Sequence, residues 1–146
     1  MPQPDPMDVP KVLDALNEAL ELQQRSTLQF ALASGSMFGL EMQSLTGKLW
    51  EFAEAELHDT RLIVEKICAL GGDPTTDVGQ LRWHAQPHDA VDNLIEHEDE
   101  TIAALHAVIP HSGQEPRSEA LEHLMEHLIM RKQNQVDWLR RARREP

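Results

Sequence analysis

At 146 residues the chain has the size of one ordinary domain, and burial of roughly 68–70% of its unfolded surface gives it a proper core with no disulfide or metal staple required. Thirteen Lys and Arg against 25 Asp and Glu leave a net charge of −12, which repels phosphate backbones and argues against nucleic-acid binding. The single cysteine, Cys68, cannot close an intrachain bridge, no charged-then-apolar leader opens the sequence, and no run approaches the ~20 apolar positions of a membrane span, so a cytoplasmic protein with no membrane partner is expected.

Proline and glycine divide the chain. Four prolines fall within residues 1–10, read as a flexible N-terminal segment, and a single domain is expected over 11–144. Within it, four breaker-poor segments at about 11–38, 47–70, 88–109 and 117–144 are rich in Leu, Ala, Glu, Gln and His and lack the β-branched alternation of strands. An all-α antiparallel four-helix bundle follows. Asp8-Val9-Pro10 and Gln86-Pro87-His88 supply helix starts, and Ser118 is a candidate cap for the fourth helix. The first and third loops are short and force antiparallel neighbours, whereas residues 71–87 are long enough to cross the length of a bundle between helices 2 and 3.

At 3.6 residues per turn each helix has a readable inward stripe. In the first it is Leu13, Leu16, Leu20, Gln24, Thr27, Ala31 and Phe38. In the second it is Leu49, Phe52, Ala53, Glu56, Thr60, Ile63, Ile67 and Leu70, with Asp59 on its margin. Glu98 interrupts the third stripe of Val91, Leu94, Ile95, Ile102, Leu105 and Ile109. Gln135 interrupts the fourth, among Leu121, Leu124, Met125, Leu128, Trp138 and Leu139, while Arg131 and Lys132 flank it. Antiparallel helices paired about their midpoints bring Gln24, Glu56, Asp59, Glu98, Lys132 and Gln135 into one layer. Carboxylates gathered in a core need a cation, which is a metal, Lys132 or Arg131.

These residues resemble a ferritin-like four-helix bundle, closest to the bacterioferritins, from about Leu13 to Leu139. Ser36-Met37-Phe38, Glu56-Leu57-His58-Asp59, Glu65-Lys66-Ile67, Gly71-Gly72-Asp73-Pro74 and Gln135-Val136-Asp137-Trp138-Leu139 carry the resemblance. It implies a dinuclear iron site in which each half comes from one carboxylate helix and one Glu-x-x-His helix. The corresponding positions here are Gln24, Glu56 with Asp59, Glu98, and Lys132 with Gln135. Both ligand histidines are thus replaced, one glutamate becomes an amide and another a cation.

Three carboxylates, Glu56, Asp59 and Glu98, against the one ammonium of Lys132 leave a formal −2, enough to neutralise one divalent ion but not two. Three arrangements are open: a metal-free cluster with Lys132 as buried counter-ion, a single Fe or Mn ion on Glu56, Asp59, Glu98, Gln24 and Gln135, and a working two-iron centre. Leu57 stands where the resemblance implies the haem-ligand methionine, so no haem is expected, and the chain has no Tyr. The resemblance also implies a homodimer built from the first two helices.

Other groups are read as structural. His123 and His127 form a solvated His/Glu face, and His58 and His97 lie away from the cluster, facing solvent or a partner subunit. Cys68 is expected to be a buried inert thiol, Trp50, Trp83 and Trp138 to anchor core or interface, and Arg140, Arg141, Arg143 and Arg144 to complement the negative end of the last helix. The expected function is that of a ferritin-like protein with a degenerate iron site, acting as a structural or interaction protein. The alternative is an iron-binding ferroxidase that oxidises ferrous iron.

Overall fold

The computed structural model describes residues 5–144, and among these there is no strand. Four long helices carry the fold: α1 (Val9–Ser36), α2 (Gln43–Ala69), α3 (Pro87–His106) and α4 (Pro116–Arg143). Short 3₁₀ turns, Leu40–Met42 and Ile109–His111, bridge α1 to α2 and α3 to α4. The ends follow local chemistry. Asp8 caps α1 by accepting from the Lys11 N–H, and Pro87 and Pro116 open α3 and α4 where a missing N–H costs nothing. Ser118 lies inside the first turn of α4, with Glu115 as the cap residue, and its hydroxyl accepts from the Glu115 N–H at 2.9 Å. Gly71, at φ +84°, closes α2 in the left-handed conformation; its N–H reaches the Cys68 carbonyl and that of Gly72 the Ile67 carbonyl, each at 3.0 Å.

Side-chain pairs fix the direction of the rods. Gln23 of α1 meets Glu56 of α2, Ser26 of α1 meets Thr101 of α3, Lys132 of α4 meets Glu56 and Glu98, and Arg143 meets Asp92. Each neighbouring pair is antiparallel, so α1 runs up, α2 and α3 down and α4 up, with the crossover of residues 70–86 carrying the chain back between α2 and α3. Polar residues on the outer side of α1 strap that crossover down. Asn17 accepts from Thr75 N–H at 2.8 Å, Gln24 donates to the Thr75 carbonyl at 3.2 Å, and Gln29 both accepts from Arg82 N–H and donates to its carbonyl. A loop without strand or helix partners thereby satisfies part of its backbone.

The core is divided. One apolar cluster, containing Val12, Leu16, Leu20, Ile63, Ile67, Leu105, Leu121, Met125 and Leu128, fills the end where α1 begins. A second, with Phe30, Ala33, Leu49, Phe52, Val91, Leu94 and Leu139, fills the other. A buried polar layer separates them.

Several expectations are corrected here. Of the N-terminal segment, residues 1–4 lie outside the described residues, and α1 already begins at Val9 rather than at residue 11; before it Met7 is buried and donates its N–H to Glu115, Asp8 donates to the His111 carbonyl, and Gln114 donates to the Asp5 carbonyl. Phe38 lies beyond the end of α1 and is 81% exposed, because the helix stops at Ser36. Cys68 faces outward on α2, one position past the buried Ile67. His97 is buried rather than solvent-facing, covered by Arg25 of α1, whose guanidinium donates to the His97 carbonyl at 3.4 Å and to Glu100 at 2.7 Å.

Candidate site at the centre of the bundle

Every helix contributes to the polar layer. Gln23 from α1, Glu56 from α2, Glu98 from α3 and Lys132 from α4 are each fully buried, and Asp59 and Gln135 are nearly so. The Lys132 ammonium donates to Glu56 Oε2 and, at 3.2 Å, to Glu98 Oε1. Gln23 Nε2 adds donation to Glu56 Oε2 at 2.5 Å and to the Glu56 backbone carbonyl at 2.9 Å. The amide nitrogen of Gln135, turned toward the carboxylates, donates to Glu56 Oε1 at 2.5 Å and to Glu98 Oε2 at 2.8 Å. All four carboxylate oxygens of the two glutamates therefore have donors. Beside them Arg131 pairs with Asp59 Oδ1, leaving Asp59 Oδ2 without a partner.

The electrostatics follow from this crowding. Burial first, and the Glu56 carboxylate second, push the Glu98 carboxyl up to about 8, so Glu98 largely keeps its proton at neutral pH. Burial acts against a charged Lys132, but Glu56 and Glu98 more than compensate and hold its ammonium above the ordinary lysine value. Asp59 is also raised, chiefly by burial, with Arg131 acting in the opposite sense. With Glu98 protonated, one carboxylate and one ammonium balance, and Asp59 and Arg131 form a second pair. The layer supplies its own counter-charges.

Of the residues expected here, Glu56, Asp59, Glu98, Lys132 and Gln135 converge, and Gln24 does not. Its neighbour Gln23 takes the inward position, while Gln24 holds the crossover. Gln23 was legible in the helical repeat. From Leu16, seven residues return to within about 20° of the same face, whereas eight overshoot by about 80°. Ser26 and Thr101, hydrogen-bonded to each other at 3.2 Å under the layer, carried no comparable signal because small hydroxyl residues sit equally well on any face.

A family profile described as the ferritin-like domain matches residues 13–145. Among solved structures, a ferritin-like diiron-carboxylate protein of Bacillus anthracis superposes with a TM-score of 0.84 at 21% identity, covering 94% of this chain and 98% of that one. The dodecameric thioferritin of Bacteroides fragilis superposes at 0.82 with 18% identity, over 92% and 84% of the two chains. The bacterioferritin of Rhodobacter capsulatus, described with a metal-free dinuclear site and haem iron, superposes at 0.83 with 19% identity over the same shares. No curated protein matches by sequence. The chain belongs to the ferritin-like family, and its fold is the ferritin-like four-helix bundle.

That family implies a pair of metal ions at this place in the bundle, and the side chains present do not fit one. Such a pair draws on a glutamate from each of two helices and a Glu-x-x-His from each of the other two. Here no imidazole enters the layer, the two surviving glutamates both turn to an ammonium, and Asp59 is committed to Arg131. Among the described residues no three His, Cys, Asp or Glu side chains are grouped so as to hold a metal ion. Leu57, at the position considered for a haem ligand, is an exposed hydrocarbon side chain. No helix among the described residues is long and apolar enough to cross a membrane.

Proposed function

We propose that this ferritin-like protein is a structural or interaction protein in which an internal ammonium has taken over the charge-balancing role of metal, so that it binds one hard metal ion weakly or none. The observation that carries the reading is Lys132, fully buried between Glu56 and Glu98. A cation fixed there by the backbone of α4 competes with any divalent ion for the same oxygens, and a metal entering beside it meets like charge. Oxidation of ferrous iron at a two-ion centre lacks the ligands it needs. The polar layer then specifies helix register, as a single buried polar residue does in coiled coils, at some expense of stability relative to an apolar core.

The partner under this reading is first a second copy. Leu28 of α1, Leu57 of α2 and Val78 of the crossover line one exposed hollow of about 210 Å³, an apolar face suited to a homodimer. Protein purified without chelator and offered ferrous iron in air is expected to take up at most one ion per chain, with no iron-dependent oxygen consumption. Two ions per chain with rapid oxidation would overturn the reading. Light scattering is expected to give twice the chain mass, reduced to one in Leu57→Asp.

A further inference from the structure

On the side of the bundle where α2 meets α4, a groove of about 550 Å³ lies open between the two helices, within the size range of small-molecule sites. Its floor is aromatic. Phe52 and Trp138 meet edge to face at 5.5 Å, and the Lys48 ammonium stands 5.3 Å and 5.9 Å from their ring centres. Arg131 and Gln135 precede Trp138 along α4 and Arg141 follows it, all lining the groove, and Gln135 is the residue whose amide holds Glu56 and Glu98.

The charge of this groove runs against that of the chain. Acids outnumber cations 25 to 13 in the whole sequence, yet three cations and two acids, Glu51 and Asp137, line the groove. Lys48 is drawn toward Glu51 at 3.3 Å and Arg131 toward Asp59, both through one oxygen. Arg140 and Arg143 pair with Asp99 and Asp92, whereas the exposed Arg141 between them makes no ion pair among the described residues. The Nε of Arg131 is buried with no partner.

From this we infer that the α2/α4 groove is a binding site for an aromatic carboxylate, its ring packed against the half-buried Trp138 and its carboxylate facing Lys48 and Arg141. A neutral aromatic would gain the ring contacts alone, and a small inorganic anion the cations alone. Only a ligand with both uses the whole groove. The inference is independent of whether the buried layer ever holds metal.

The test uses the full chain carrying Trp50→Phe and Trp83→Phe, which leaves Trp138 as the one tryptophan, with 2-naphthoate as probe. Saturable quenching of Trp138 that weakens with added salt is expected, together with far weaker binding of the uncharged 2-naphthalenemethanol. Arg141→Glu, at an exposed position that does not threaten folding, is expected to weaken naphthoate binding at least about fivefold, and Lys48→Ala to weaken it in the same direction. Absence of saturable quenching, equal binding of the neutral alcohol, or an unchanged dissociation constant in Arg141→Glu would each overturn the assignment. Calorimetry on the unsubstituted chain checks that the two tryptophan replacements have not created the site.

Discussion

Lys132 of α4 donates one hydrogen bond to Glu56 of α2 and another to Glu98 of α3, joining three helices through a single nitrogen with no exposure to water. A buried lysine pays heavily in lost hydration, and only the attraction of the Glu56 carboxylate and the hydrogen bonds to both glutamates make it tolerable.

Removing the nitrogen while keeping the side-chain length is therefore costly. Lys132→Met leaves Glu56 as an uncompensated buried carboxylate and is expected to lower unfolding free energy by about 3–5 kcal/mol near neutral pH. Lys11→Met, at an exposed position on α1, is expected to change it by no more than about 0.5 kcal/mol. Denaturant melts of the two variants check the contrast. Equal, small effects would place Lys132 outside the layer.

The raised Glu98 carboxyl gives stability a definite pH dependence. Its ordinary value is 4.5 and its folded value about 8, so between these the unfolded chain has released a proton that the native protein retains. Stability from this group is full below about pH 4.5 and declines as pH rises toward 8, with a slope of at most about 1.4 kcal/mol per pH unit. Glu98→Gln, which keeps the shape and removes the proton equilibrium, is expected to flatten the curve over that window. Parallel curves for the two proteins in urea melts from pH 5 to 8 would contradict the assignment.

Restoring ligands should restore metal. Lys132→Glu combined with Gln135→His exchanges an ammonium for a carboxylate and an amide for an imidazole, next to the existing Glu56 and Glu98. Affinity for Mn²⁺ or Co²⁺ is expected to rise at least about tenfold over the unsubstituted chain in calorimetry. An unchanged affinity would mean that these two positions do not share the layer.

Adjacent glutamines of α1 separate inward from outward roles. Gln23→Leu takes a donor from the buried Glu56 and is expected to cost about 1–3 kcal/mol, whereas Gln24→Leu loses one half-exposed bond to the Thr75 carbonyl and should cost about 0.5–1.5 kcal/mol. Hydrogen exchange would show the second change as a loosened crossover and the first as a loss spread over α1 and α2.

The four helices, the long crossover and five of the six layer residues were legible because the apolar periodicity of α2, α3 and α4 is interrupted at Glu56, Glu98 and Gln135 and bordered by Asp59 and Lys132, polar groups that stand out against core. In α1 it was less so. Polar residues there serve two masters, Gln23 and Ser26 toward the layer and Asn17, Gln24 and Gln29 toward the crossover, so composition alone does not distinguish the faces. His97 eluded the helical repeat for a related reason. It is covered by the reach of Arg25 from another helix, a contact that the α3 sequence does not contain. The outward turn of Phe38 depends on where α1 stops, and Ser36, Met37 and Phe38 carry no proline to mark the place.

The ammonium itself can be observed. In lysine-¹⁵N-labelled protein, Nζ resonance of Lys132, assigned by its loss in Lys132→Met, is expected as a charged ammonium whose protons exchange slowly with water. It is expected to persist unbroadened on addition of two equivalents of Co²⁺ per chain. A rapidly exchanging Lys132 signal, or one erased by the paramagnetic ion, would contradict the claim that this lysine occupies the centre of the bundle in place of metal.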